Sequence, residues 1–146
     1  MQTILDFLGT DHRACDDLFA AAEMAVSKKN WTDAGDLLER FLTAMARHLS
    51  MEETVLFPAF ETRMGGSGMG PTQVMRMEHE QMRALFQDMK QALADANLDR
   101  FLGLSETLNV LMQQHNLKEE NVLYPMTDQM LDAERNELIR AMQAVA

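Results

Sequence analysis

The chain carries one pattern twice, 67 residues apart, and this internal repeat restricts the fold more than any other feature. His12 and His79, His48 and His115, Glu52 and Glu119, and Glu53 and Glu120 all stand in that register. The match continues through Phe19/Phe86, Val55/Val122, Leu56/Leu123, Phe57/Tyr124 and Pro58/Pro125. Each copy holds two amphipathic helical segments, so the repeat is a helical hairpin used twice. Two such hairpins about a pseudo-two-fold axis bring equivalent side chains face to face, which is what a site built from both halves requires.

Between the breaks at Lys28-Lys29-Asn30, Gly65 to Pro71 and Ala96-Asn97, the chain is rich in Ala, Leu, Met, Glu, Gln and Arg and poor in β-branched residues, a composition that favours helix. The pattern predicts helices near 3–28, 31–62, 72–96 and 98–124, and a short one near 132–144. Thr3 followed by Asp6 and Asn30 followed by Asp33 resemble N-terminal caps, and Pro71 suits a first helical turn. Apolar seams with alternating steps of three and four run through Leu5, Leu8, His12, Cys15, Phe19, Ala22 and Val26, and through Thr72, Met75, His79, Met82, Phe86, Met89 and Leu93. The other two pass through Leu38, Phe41, Met45, His48, Glu52 and Val55, and through Phe101, Leu104, Leu108, Met112, His115, Glu119 and Val122. Four long helices with short connections pack as an up-down bundle. The expected architecture is thus all-α, one domain over residues 1–146, with Pro58 and Pro125 kinking or ending the second and fourth helices.

Thirteen Lys and Arg stand against 23 Asp and Glu, a formal charge of −10 with no basic stripe, which argues against nucleic acid and against an anionic membrane surface. No apolar stretch approaches the ~20 residues that span a bilayer. The amino-terminal segment does not read as a secretory signal, and the single Cys15 fits a reducing compartment, so a cytoplasmic location is expected. Ser/His/Asp groupings and phosphate-cradling Gly motifs are missing; Gly65 to Gly70 follows a helix, not a strand, and reads as a flexible connector.

All four histidines of the chain lie on the predicted interior seams. A lone histidine on an apolar face is usually a satisfied core residue, but four on four helices, paired by one repeat, are hard to assign to that cause. Glu52 and Glu119 share the seam, and burying an unpaired carboxylate costs several kcal/mol or shifts its pKa far upward. A central cation removes the conflict. His-x-x-x-Glu spacing sets the two side chains about 40° apart on one helical face, whereas Glu53 and Glu120 point about 140° from the histidine; they read as solvated residues or supports for the ligands. Four imidazoles and two carboxylates exceed the needs of one tetrahedral ion and suit two metals bridged by both carboxylates. Ligands without thiolate point to iron, with manganese or zinc as alternatives.

The joint occurrence of Asp11-His12, His48-Leu-Ser-Met-Glu52-Glu53 with Leu56-Phe57-Pro58, Glu78-His79-Glu80, and His115-Asn-Leu-Lys-Glu119-Glu120 with Leu123-Tyr124-Pro125 resembles the haemerythrin-like family with His-His-Glu cation-binding motifs. The resemblance covers essentially the whole chain. It implies a four-helix bundle holding two iron ions in an oxo- or hydroxo-bridged non-haem centre, with His12, His48, His79 and His115 terminal and Glu52 and Glu119 bridging. By analogy His12 pairs with His115 and His48 with His79. Oxygen-carrying haemerythrins have a further histidine one turn from the third-helix ligand, where this chain has Met75 and Arg83. The implied function is binding or redox processing of oxygen, nitric oxide or peroxide, in oxidative or nitrosative stress and with an electron-donor protein as partner. The alternatives are an iron reservoir or donor for iron-centre repair, and a metal-stabilised regulatory bundle. Ferritin-like bundles carry Glu-x-x-His instead.

Cys15 and the methionines, including Met75 and Met82 beside His79, read as core packing. Trp31 is expected to pack the bundle end, and the helix near 132–144 to act as a lid. Tyr124 matches Phe57, so its hydroxyl is expected to stand outside the shared site.

Overall fold

A computed structural model describes residues 1–66 and 70–146. The order is α1 (Ile4–Ser27), α2 (Trp31–Met51), a π-helical turn (Glu52–Leu56), α3 (Phe57–Arg63), α4 (Pro71–Ala94), α5 (Leu98–Lys118), a second π-helical turn (Glu119–Leu123), α6 (Tyr124–Met130) and α7 (Arg135–Gln143). Neighbours around the bundle run α1, α2, α4, α5, closing back on α1. No described residue forms a strand. The connector reading at Gly65 to Gly70 falls partly on residues 67–69, outside the described residues.

Local chemistry sets the helix limits. Thr3 and Asp6 form a reciprocal capping box, and Asn30 and Asn97, themselves one repeat apart, accept from the backbone N–H of Asp33 and Arg100. Each hairpin turns through a left-handed residue, Lys29 at φ 58° and Ala96 at φ 49°. There the N–H groups of Asn30 and Asn97 reach back to the carbonyls of Ala25 and Ala92, the Schellman closure of a helix end.

Two expectations need correction. Helix four does not end near 124 but stays helical past Pro125 to Met130, while helix two runs past Pro58 to Arg63, close to its expected bound near 62. Before each proline the helix instead widens into the π-turn, with the N–H of Phe57 bonded to the carbonyl of Glu52 and that of Tyr124 to Glu119. A proline ring clashes with the carbonyl four residues back, and the wider turn relieves that clash. The inserted residue also shifts the helical phase. Leu56 and Leu123 therefore face the core, while Val122, predicted on the seam, is exposed and Val55 is only half-buried.

The core consists of two apolar clusters. One, around Phe19, Phe41, Phe86, Phe101 and Leu108, fills the hairpin-turn end, with Trp31 packed on it as expected. The other, around Ile4, Leu8, Phe57, Met75 and Tyr124, fills the opposite end, where Ile139 and Met142 of α7 cover it. Arg47 fastens the tail by donating to the carbonyls of Gln143 and Val145 at 3.3 and 3.0 Å. Asp128 accepts from the N–H groups of Ile4 and Leu5 and from Arg135, joining the start of α1 to α6 and α7.

Candidate metal centre

All six residues singled out by the repeat, His12, His48, Glu52, His79, His115 and Glu119, are buried and lie in one polar layer inside the bundle. His12 on α1 and His79 on α4 face the ends of α2 and α5, where His48 and His115 occupy the last turn and Glu52 and Glu119 open the π-turns. The donor atoms form two groups that share Glu119: Glu52, His79, His115 and Glu119, and His12, His48 and Glu119. The rings of His12 and His48 are 4.7 Å apart and those of His79 and His115 5.1 Å. Each hairpin's own two histidines thus stand side by side, a grouping other than the pairing that the resemblance implies.

Every Nε2 atom faces the layer. His12 and His79 come within 3.1 Å of Glu119 Oε1 and Glu52 Oε1, respectively. His115 stands 3.3 Å from Glu119 Oε2, and His48 3.6 Å from Glu52 Oε1. Glu119 thus addresses His12 with one oxygen and His115 with the other, the disposition a bridging carboxylate needs.

Every Nδ1 atom faces outward to a carboxylate. His12 meets Glu120 at 2.8 Å, His48 meets Asp11 at 2.7 Å, His79 meets Glu53 at 2.6 Å and His115 meets Glu78 at 2.8 Å. A carboxylate at Nδ1 fixes that proton and leaves the Nε2 lone pair free for a metal. Glu53 and Glu120 therefore support histidines, and they support those of the opposite half. Asp11 and Glu78 complete the set and were not foreseen as site residues. The available signal was an acid immediately before each of His12 and His79, conserved in register by the repeat itself. Beyond this ring, Arg83 clamps Glu53 at 2.9 Å and Lys118 pairs with Glu78. Arg83, one of the two places for an extra histidine, is thus engaged, and Met75, the other, is buried in the apolar cluster.

Tyr124 corrects a further expectation. Its hydroxyl is fully buried in the layer, 2.6 Å from Glu52 Oε2, 2.9 Å from Glu119 Oε1 and 3.2 Å from His12 Nε2. Cys15 is buried as expected, and burial with the charges of Asp11 and Asp16 pushes its thiol up to about 12, leaving it an inert packing group.

Without a cation the layer is electrostatically unresolved. Burial opposes protonation of His12, but hydrogen bonding to Glu119, the charges of Glu119 and Glu52 and the bond to Glu120 outweigh it and raise its pKa to about 9. His115 rises to about 8 by the same balance, with Glu78 as the outer partner. Burial and the charge of Glu119 push Glu52 up; Glu119, although buried, is held well below the usual range by bonds with Glu52, His115 and His12. Tyr124 is pushed well above its usual range by burial and the charges of Glu119 and Glu52. The fit to a metal rests on unmet atoms: His48 Nε2, Glu52 Oε1, His79 Nε2, His115 Nε2 and Glu119 Oε2 are all buried without a hydrogen-bond partner. Each such atom costs about 1–3 kcal/mol, and they converge on one spot. Four imidazoles and two carboxylates are a donor set suited to iron, manganese or zinc.

The family description "Hemerythrin HHE cation binding domain" matches residues 3–127. Among curated proteins, the chain is 30% identical over 101 residues to the iron-sulfur cluster repair protein YtfE of Escherichia coli O1:K1 / APEC and of Escherichia fergusonii. That alignment covers 60% of this chain and 46% of each relative, so the chain spans about half their length. No solved structure gives a significant match.

Proposed function

Because the chain belongs to the haemerythrin HHE cation-binding family, we propose that it is a cytoplasmic non-haem di-iron protein that binds or redox-processes a small ligand, oxygen, nitric oxide or peroxide. The observation that carries this reading is the convergence of five unpartnered buried ligand atoms, Nε2 of three histidines and one oxygen of each glutamate, between two donor groups that share Glu119. In this reading His12 and His48 would hold one ion and His79 and His115 the other, with Glu52 and Glu119 as the carboxylates between them. Two irons held there supply one-electron redox steps and coordination positions for a small exogenous ligand.

The chain's own groups prepare that chemistry. Asp11, Glu53, Glu78 and Glu120 hold the Nδ1 side of each ring, so each Nε2 is turned toward the layer. The two apolar clusters exclude water from above and below the layer, which strengthens every electrostatic interaction within it. A 250 Å³ depression lined by Pro71, Val74, Met75, Lys118, Val122 and Leu123 lies over Met75 and Leu123, residues one turn from His79 and Glu119. Its mostly apolar wall suits an uncharged diatomic molecule approaching that side.

A second reading, an iron donor for iron-centre repair, is favoured by the relatives, which are iron-sulfur cluster repair proteins. The two are separated by mixing the reduced, iron-loaded protein with oxygen, nitric oxide or peroxide and, separately, with an iron chelator. Spectral change with iron retained on the chain supports the ligand-processing reading. Inertness to all three ligands with rapid release to the chelator supports the donor.

A further inference from the structure

The repeat is broken at one atom of the central layer. Phe57 and Tyr124 occupy equivalent positions, each stacking on the histidine of the opposite half: Phe57 on His79 at 5.6 Å and 26°, Tyr124 on His12 at 5.6 Å and 30°. Only the second carries a hydroxyl. The donor groups are also unequal. The His79 side gathers two histidines and both carboxylates closely, whereas on the His12 side only Glu119 closes with the two histidines and Glu52 Oε1 stands 3.6 Å from His48 Nε2. The Tyr124 oxygen lies on this less closely supplied side, 3.2 Å from His12 Nε2 and 2.9 Å from Glu119 Oε1.

Metal–nitrogen and metal–oxygen bonds of about 2.0–2.2 Å place adjacent ligand atoms roughly 3 Å apart. The Tyr124 oxygen stands at that separation from His12 Nε2, Glu119 Oε1 and Glu52 Oε2 together. The π-turn accounts for this placement. On a regular α-helix a residue five positions after Glu119 faces about 140° away; with the N–H of Tyr124 bonded to the carbonyl of Glu119, the ring closes over the ligand.

We infer that Tyr124 is itself a ligand, giving the metal beside His12 and His48 a phenolate oxygen that the metal beside His79 and His115 lacks. The inference rests on the metal-binding reading above and deepens it: the two positions are chemically distinct despite the repeat. On loading with ferric ion the iron–oxygen bond forms, the phenol O–H bond breaks and its proton passes to the solvent; no electron is transferred. The charged surroundings reinforce the inequality. Glu53, behind His79, is clamped by Arg83, whereas the position one repeat before Arg83 is Asp16, whose pKa is raised by burial and by Glu120, behind His12.

Tyr124 is the only tyrosine of the chain, so a phenolate signal in the purified protein has one source. The protein should be loaded with ferric ion and its iron content, visible absorption and resonance Raman spectrum recorded, beside Tyr124→Phe. The expected result is a visible phenolate-to-iron charge-transfer band with enhanced tyrosine ring modes, both abolished in Tyr124→Phe. The variant should keep wild-type helicity, since phenylalanine already fills the equivalent place at Phe57. Two irons per wild-type chain without a phenolate band, or a band that survives in Tyr124→Phe, overturns the inference and leaves the di-iron reading standing. One iron with a band that depends on Tyr124 overturns the di-iron reading and supports the ligand. No bound iron overturns both.

Discussion

Each histidine of the layer is held at Nδ1 by a carboxylate and turns Nε2 inward, and this divides the acids around it into two kinds with different expected phenotypes. Glu52→Ala and Glu119→Ala remove atoms that face the ions and should abolish iron retention through desalting. Glu53→Ala removes only the support behind His79 and should weaken iron binding by about 10–100-fold, as measured by chelator competition; equal loss in all three variants would contradict the division. A second expectation follows from protonation. His12 at about 9 and His115 at about 8 lie above the ordinary 6.5, so in metal-free protein they contribute stability that is complete below pH 6.5 and is lost as pH rises through 8 and 9. Thermal melts of metal-free protein should give a falling midpoint between pH 6.5 and 9, and iron affinity should rise across the same window because bound protons compete with metal. A flat melting profile would contradict this. The six inward residues were legible because the repeat and the seam agree on them. Asp11 and Glu78 were not, because a seam argument selects interior positions and these acids act from its edge.

At the scale of elements, capping residues and glycine-poor helices were legible, while the π-turns were not. A periodicity fixed at 3.6 residues per turn cannot register one added residue, so it assigns Val122 to the core and turns Tyr124 away from the layer, the reverse of what is found. Both π-turns begin at the inward glutamates and end before the prolines, so ligand placement and helix phase are set by the same five residues. The hairpin turns carry a cost that can be removed. Ala96 holds φ 49°, a conformation that disfavours any residue with a Cβ by about 1–2 kcal/mol. Ala96→Gly should therefore stabilise the protein by roughly 0.5–1 kcal/mol in urea unfolding, with iron binding unchanged. A destabilised variant would mean that the alanine methyl contributes packing that outweighs the backbone gain.

For the molecule as a whole, a polar layer divides the core, with apolar clusters on either side and α7 over one end. Such a layer stabilises the fold only when its unmet atoms are satisfied, so folding and metal binding should be linked. Removal of iron should lower the thermal midpoint, and re-addition should restore it. The acidic exterior, at a formal charge of −10, favours cation approach, and among the described residues no helix is long and apolar enough to cross a membrane. If one layer built from both halves of the repeat holds two ions, anaerobic titration of the metal-free chain with ferrous iron must show that stoichiometry. Saturation at two irons per chain, falling sharply in both His48→Ala and His115→Ala, is the predicted result. Saturation at one iron, or binding that survives loss of either histidine, would contradict it.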